Sequence, residues 1–146
     1  MADTSLNENR LSLLIWQTSN LWQSKIRILL KNSNISFNEY LIIETLYKLQ
    51  SFEENITQQD ICKNCSIDRS VVSLKINILE QKKLLFRSQS MDRRSNSLIL
   101  TNNGNLLVEA LIKNIENQEN IIFEKLGSEI FNFTNSLKLL LGKKIR

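Results

Sequence analysis

The sequence predicts a mainly α-helical protein with one small β-hairpin. There is no proline and there are only three glycines in 146 residues, so few positions interrupt a helix. Apolar residues recur at helical spacing over most of the chain, whereas two short runs near its middle are strand-like and flank a polar turn. With 42% apolar and 23% charged residues, the chain has the composition of a globular protein, and we assign residues 1–146 to a single domain.

Two helices are predicted in the N-terminal third. Apolar residues at helical spacing mark residues 11–30, and the polar segment KNSN at 31–34 ends this helix. Ser36 is predicted to cap the next helix, with Glu39 three residues later completing a capping box. The apolar pattern extends this second helix to about Leu49.

Two shorter helices follow, joined by a tight connection. Thr57, with Asp60 three residues later, is predicted to cap a helix over residues 58–64. Asp68 is predicted to cap a further helix over about residues 69–82. Two short helices with so few residues between them predict a helix-turn-helix.

A hairpin and a long helical region complete the chain. The runs LLFRSQ at 84–89 and NSLILT at 96–101 predict two strands, with a polar tip over about residues 88–97. Thr101 is predicted to cap a helical region over residues 102–141 that breaks near Gly127. This order of elements predicts a winged helix-turn-helix lobe over about residues 35–101, flanked by helical regions at about 6–31 and 102–146.

The net charge of +4 lies entirely in the middle third of the chain. Between Thr57 and Leu100 there are eight basic and four acidic residues, and the two signs balance in the remainder. Positive charge confined to one segment indicates a surface that would meet a polyanion such as DNA.

The second helix of the predicted helix-turn-helix has two distinct faces. Val72, Ile76 and Leu79 share one side and should pack inward. Hydroxyl and amide side chains on the opposite side are short enough to approach base edges, and an arginine in the first turn can hold a phosphate. A solvated helix face is the alternative interpretation. The outward residues are Arg69, Ser70, Ser73, Leu74 and Asn77.

Little in the sequence indicates catalysis, a metal or a cofactor. There is no histidine, which is the commonest general base, and there is no glycine-rich phosphate loop. Cys62 and Cys65 form one C-x-x-C motif, which is at most half of a zinc site. The pair could be redox-active, but we interpret Cys62 as a small residue on the apolar side of its helix. No apolar run approaches about 18 residues and no signal peptide is evident, so we expect a cytoplasmic protein without a membrane partner.

Residues 56–104, ITQQDICKNCSIDRSVVSLKINILEQKKLLFRSQSMDRRSNSLILTNNG, resemble the winged helix-turn-helix of the MarR family of bacterial transcription regulators. The resemblance covers about residues 35–111 well, and the terminal helices by length and apolar pattern only. Its most specific part is the wing, where an aspartate, any residue and an arginine precede a strand that ends in Leu-Thr and is followed by a glycine. The matching residues are Asp92, Arg94, Leu100, Thr101 and Gly104.

This resemblance implies a homodimer joined by its terminal helices, with double-stranded DNA as its partner. It implies that each recognition helix, at about 68–82, enters a major groove and each wing, at about 88–97, enters a minor groove. Arg94 would insert there, with Asp92 orienting the wing arginines. The complete predicted DNA-binding set is Arg69, Ser70, Ser73, Leu74, Asn77, Lys83, Arg87, Asp92, Arg93, Arg94 and Ser95.

The chain departs from the family pattern at two positions. The family usually has glycine where this chain has Lys83, which predicts a strained positive φ or a different turn there, together with a gained phosphate contact. The family often has arginine where this chain has Leu74, so the operator sequence cannot be transferred. Family members that sense peroxide usually carry a cysteine in the first helix, and this chain has none there.

Family members often bind small anionic or aromatic effectors, and a small-molecule effector is therefore a possible partner here, although its identity and site are unknown. Four aromatic residues could line such a site, but we interpret them as core and interface residues: Trp16, Trp22, Phe37 and Tyr40.

We therefore predict a dimeric, sequence-specific DNA-binding transcription regulator that acts as a repressor and has no enzymatic activity. The alternative is a winged helix that binds another protein and has no DNA target. The acid-free outer face of the recognition helix and the segregated charge favour DNA.

Overall fold

The computed structural model describes residues 9–88 and 96–145. Two short 3₁₀ segments, Lys31–Ser33 and Glu124–Glu129, accompany the regular elements. The predicted fold class, mainly helical with one hairpin, is confirmed. The elements are α1 (Leu11–Leu30), α2 (Phe37–Leu49), α3 (Gln58–Cys65), α4 (Arg69–Gln81), β1 (Leu85–Ser88), β2 (Ser97–Leu100), α5 (Asn102–Phe123) and α6 (Ile130–Leu140).

Side-chain caps begin α3 and α5 as the sequence predicts. The hydroxyl of Thr57 accepts from the backbone N–H of Asp60, whose carboxylate accepts from the Thr57 N–H in return. Thr101 accepts from the N–H of Gly104 in the same way. Each such cap satisfies an N–H group that has no partner within its helix, and this fixes where the helix starts.

Two of the predicted caps differ from expectation. Ser36 does accept from the Glu39 N–H, but the Glu39 carboxylate accepts from the Ser36 hydroxyl, from Lys75 of α4 and from Lys82 just after that helix, and completes no capping box. The attraction of these ammonium groups explains the difference. Asp68 occupies the N-cap position of α4, yet its side chain makes no capping hydrogen bond, so it leaves the first-turn N–H groups of that helix uncapped.

One apolar core joins the helix-turn-helix to the long helices. α2 packs against α3, α4 and α5, and α1 packs against α5. On α4 and α5 the buried residues recur every three or four positions, as amphipathic helices require. Among the fully buried core residues are Ile26, Ile42, Ile43, Ile61, Val72, Ile76, Leu79 and Val108.

The hairpin is antiparallel, with Leu85 opposite Leu100 and Arg87 opposite Leu98. Leu85, Leu98 and Leu100 are buried, whereas Phe86 and Ile99 face outward. The N–H of Leu98 donates to the carbonyl of Ile56 at 2.7 Å and so attaches β2 to the segment before α3. The hairpin is therefore anchored to the helix-turn-helix at its base.

The connection from α4 to β1 explains the Thr and Gly of the wing pattern. The Thr101 hydroxyl donates to the carbonyl of Lys83 at 2.8 Å, and the Thr101 N–H donates to the carbonyl of Leu84 at 3.0 Å. A Cβ atom on Gly104 would lie 2.0 Å from that Leu84 oxygen, so only glycine fits. Lys83 has a φ of 60°, which agrees with the strained positive φ expected there from the family resemblance.

The predicted break at Gly127 is present, since this glycine has a φ of 54° and separates α5 from α6. α6 buries none of its residues, although many of them are apolar. Within residues 9–88 and 96–145, no helix is both long and apolar enough to span a bilayer.

Candidate nucleic-acid interface

α4 presents the two faces that its residue spacing predicts. Val72, Ile76 and Leu79 are fully buried. On the other side Arg69, Ser70, Leu74 and Asn77 are exposed and Ser73 is half-buried. Leu74 is unusual because 58% of this apolar residue is open to solvent. This outward face is consequently available to a partner.

The turn before α4 is short. α3 ends at Cys65, and Ser66 adopts a left-handed conformation with a φ of 54°. Only residues 66–68 separate the two helices, and Ile67 among them packs against the core. The N-terminus of α4, with Arg69 and the uncapped N–H groups, is thereby held at the protein surface, where an anion can be bound.

Arg87 connects the hairpin to α4. Its Nη2 donates to Oδ1 of Asn77 at 2.9 Å, and its Nη1 lies 3.4 Å from Oε1 of Glu80. The amide oxygen of Asn77 thus has a partner, and the exposed NH₂ group of Asn77 is a hydrogen-bond donor that can reach acceptors on base edges. Arg87, predicted from sequence as a DNA contact, has this positioning role in the structure; a phosphate contact stays a prediction.

A buried ionic cluster joins α2 to α4. Glu39 is only 3% exposed, and its two carboxylate oxygens lie 2.6 Å from Nζ of Lys82 and 3.3 Å from Nζ of Lys75. Lys82 also donates to the carbonyl of Asn34 at 2.7 Å. Burial by itself would raise the pKa of the Glu39 carboxyl, but hydrogen bonds from Lys82, Ser36 and Lys75 hold that pKa below its usual value.

Ion pairing distinguishes the basic residues of the middle third from one another; Arg87, for example, pairs with Glu80. Lys75 and Lys82 are bound to Glu39 and stabilise the fold. By contrast, Lys63, Arg69 and Lys83 are exposed, and within the described part of the chain none of the three forms an ion pair. Sequence reasoning assigned Glu39 only to a cap, and its charged partners lie too far along the chain to be recognised from spacing.

The wing tip lies outside the described residues. Asp92, Arg93, Arg94 and Ser95 were predicted there, and the structure does not describe them. Of the predicted DNA-binding set, seven residues are described: Arg69, Ser70, Ser73, Leu74, Asn77, Lys83 and Arg87. Five of them lie on α4, Lys83 lies on the connection to β1, and Arg87 lies on β1.

The four aromatic residues considered for an effector site have different environments. Tyr40 and Phe37 belong to the buried core. Trp22 packs edge-on against Phe37 with ring centroids 5.2 Å apart, and its indole N–H donates to Glu119 at 2.7 Å. Trp16 is 62% exposed on α1. A cavity of about 370 Å³ is lined by Trp22 with residues of α1 and α6, and a separate one of about 490 Å³ is lined by Phe37. The burial of Tyr40 and Phe37 agrees with the core interpretation, and the interface interpretation stays a prediction.

Comparisons with known proteins extend this description. No protein-family model matches the chain. It is 25% identical over 129 residues to YdcH of Bacillus subtilis (strain 168), an uncharacterized HTH-type transcriptional regulator, covering 88% of this chain and 87% of YdcH. The Staphylococcus aureus MepR–DNA complex is 26% identical with a TM-score of 0.81, covering 93% of this chain and 97% of MepR. The transcription regulator MarR from Oenococcus oeni PSU-1 shares the fold at 24% identity with a TM-score of 0.74, covering 91% and 99% of the two chains.

Proposed function

We propose that this chain is a MarR-family winged helix-turn-helix transcription regulator, and that it binds operator DNA as a homodimer and represses transcription. The observation that carries the proposal is the exposed, small and polar face of α4 at the surface of a fold shared with a DNA-bound regulator. The relatives compared above are transcription regulators and not enzymes, in agreement with the predicted absence of catalysis.

In this proposal α4 lies in the major groove. Ser70, Ser73 and Asn77 reach base edges, and Leu74 contacts a thymine methyl group. Arg69 and the uncapped N–H groups of the first turn hold a phosphate. The two kinds of contact have different roles: phosphate contacts position the helix, and base contacts supply sequence preference.

The hairpin contacts the DNA beside α4. Lys83 lies on the connection between α4 and β1, and Arg87 lies on β1. Both are proposed to approach the phosphate backbone. The tip residues Asp92, Arg93, Arg94 and Ser95 are proposed, on the family resemblance, to enter the adjacent minor groove. A narrow minor groove concentrates negative potential and attracts an arginine such as Arg94.

The proposed dimer covers apolar surface on α1 and α6. Leu11, Ile15 and Trp16 on α1 are exposed, as are Phe131 and Leu140 on α6. An amphipathic helix on the surface of a globular protein buries its apolar side against the core, but α6 buries none of its residues. A second copy on these helices would remove that surface from water. Its two-fold symmetry would place the two α4 helices about 34 Å apart, in successive major grooves.

Repression would follow from occupation of a promoter. A small-molecule effector would release the DNA by altering the separation of the two α4 helices, since half-site spacing is fixed by the dimer. The apolar cavity between α1 and α6 lies within the proposed dimer region, so a ligand bound there would act on that separation.

The test compares DNA from upstream of the protein's own gene with a scrambled duplex, using fluorescence anisotropy at two salt concentrations. Asn77→Ala should weaken binding to the native duplex about tenfold, because one base contact is lost, and should change binding to the scrambled duplex much less. Asn114→Ala, an exposed position on α5, is the matched control and should leave both affinities unchanged. Equal and weak binding of both duplexes by the unmodified protein would contradict the proposal and favour a protein-interaction module.

A further inference from the structure

We propose that Cys62 and Cys65 form a thiol switch in the helix-turn-helix, and that closing a disulfide between them lowers the affinity for DNA. The inference rests on the proposed function, because it concerns regulation of the same interface. Both cysteines are free thiols and half-buried, so a small reagent can reach them. They are the only two cysteines of the chain.

The spacing of the pair permits a disulfide. Residues three apart on a helix have Cα atoms about 5 Å apart, within the 4.4–6.8 Å range of disulfides. Their Cβ atoms start about 5–6 Å apart and must approach to about 4 Å, so closing the bond tightens the last turn of the helix. Cys65 is the final residue of α3, and Ser66 after it already has a left-handed backbone. The distortion therefore falls on the end of α3 and on the turn that follows.

Both cysteines lie close to the start of α4. Cys65 and Ile67, the middle residue of the turn, pack against the same core. Cys62 lines a cavity of about 210 Å³ together with Gln58, Gln59 and Arg69, the first residue of α4. A disulfide would pull Cys65 out of its present packing against the core and draw Cys62 away from its position beside Arg69. Because only residues 66–68 separate α3 from α4, the N-terminus of α4 shifts with them.

The reaction is a pair of thiol–disulfide exchanges with a small organic disulfide as the oxidant. The Cys62 thiolate attacks one sulfur of that disulfide, forms a mixed disulfide and releases one thiolate. The Cys65 thiolate then attacks the Cys62 sulfur, forms the Cys62–Cys65 bond and releases the second thiolate. The protein loses two electrons and two protons, and the organic disulfide is reduced to two thiols. Burial raises the pKa of the Cys65 thiol, so the thiolate that the second step requires becomes more abundant as the pH rises.

The switch differs from the use of a first-helix cysteine noted above, since α1 contains no cysteine. It is also compatible with the packing interpretation of Cys62, because both cysteines contact the core while remaining half-buried. The reduced Cys65 thiol packs at the end of α3 and supports the fold, whereas a disulfide to Cys62 would distort that end of the helix.

The test equilibrates the full chain with oxidised glutathione and measures two quantities. Intact-mass spectrometry and a non-reducing gel report the disulfide without DNA, and anisotropy reports binding to the native and scrambled duplexes. Oxidation should remove both free thiols within one chain and lower affinity for the native duplex about tenfold, a size typical of coupling between sites, with recovery on reduction. Cys62→Ala and Cys65→Ala should each bind DNA like the reduced protein, and oxidised Cys65→Ala should carry glutathione on Cys62.

The outcomes separate this inference from the proposed function. If the reduced protein shows no preference for the native duplex, the proposed function fails. The switch is then judged by disulfide formation and by the hydrogen exchange of α4 amides, which should become faster on oxidation. The inference is overturned if glutathione leaves both thiols free, if the disulfide joins two chains, or if the internal disulfide forms with DNA affinity and amide exchange unchanged.

Discussion

Replacing Glu39 by alanine removes the carboxylate that holds Lys75 of α4 and Lys82, which follows α4, against α2. The change leaves Lys75 and Lys82, whose side chains are 23% and 28% exposed, without their shared partner. It also removes the acceptor of the Ser36 hydroxyl. We expect the helix-turn-helix to lose stability because two partly buried ammonium groups must either stay unpaired or turn out to solvent.

The size of the loss follows from the burial of the three groups. Removing one partner of a fully buried ion pair costs about 3–5 kcal/mol. The lysines retain access to water, so we expect a smaller loss of about 2–3 kcal/mol in the free energy of unfolding. Glu39→Gln keeps the shape and a hydrogen-bonding oxygen but not the charge, and should lose about half as much.

Urea denaturation of each variant at one protein concentration and neutral pH measures these differences. Lys48→Met is the matched control, because it breaks the exposed pair in which Nζ of Lys48 lies 3.9 Å from Glu44. Exposed pairs on one helix contribute little, so the control should change the free energy of unfolding by about 0.5 kcal/mol or less. A loss for Glu39→Ala no larger than that of Lys48→Met would refute the reasoning.

The same cluster predicts a pH dependence. The pKa of Glu39 in the folded protein lies below its usual value of 4.5, so the folded state favours the charged carboxylate. Its contribution to stability is complete above the pKa of the unfolded chain and is lost as the pH falls through the pKa of the folded protein. The stability difference between the unmodified protein and Glu39→Gln should therefore be constant near neutral pH and shrink below about pH 4.5.

Three further substitutions test the turn and the wing. Gly104→Ala places a Cβ atom 2.0 Å from the Leu84 carbonyl oxygen, and thermal unfolding should show a loss of about 3 kcal/mol, whereas Asn103→Ala beside it should change little. Lys83→Gly relieves the positive φ of 60° and should raise the melting temperature. The same change should weaken DNA binding and lower the salt dependence of the DNA affinity by about one released counterion. An unchanged salt slope would contradict the proposed phosphate contact. Arg94→Ala should weaken binding to the native duplex about tenfold or more, with Lys113→Ala on α5 as the charge-matched control, and full retention of affinity would remove Arg94 from the interface.

Local sequence determined the elements of this protein. The helical spacing of apolar residues placed α1, α2 and α4 within a residue or two of their observed bounds, whereas α5 ends at Phe123, before the predicted break at Gly127. Thr57 and Thr101 marked the starts of α3 and α5, since a cap acts on N–H groups only two or three residues away. The outward face of α4 followed from the same periodicity. The wing pattern, read as a family resemblance, indicated Gly104 and the strained position of Lys83.

Only the tertiary structure decided which charged and polar groups act together. Glu39 meets lysines that lie 36 and 43 residues further along the chain, and no local pattern predicts that pairing. Arg87 meets Asn77 because the chain reverses between α4 and β1. Periodicity reports which face of an element is buried, but the fold alone brings distant elements into contact. Distant contacts therefore decide which basic residues support the protein and which remain free to meet DNA.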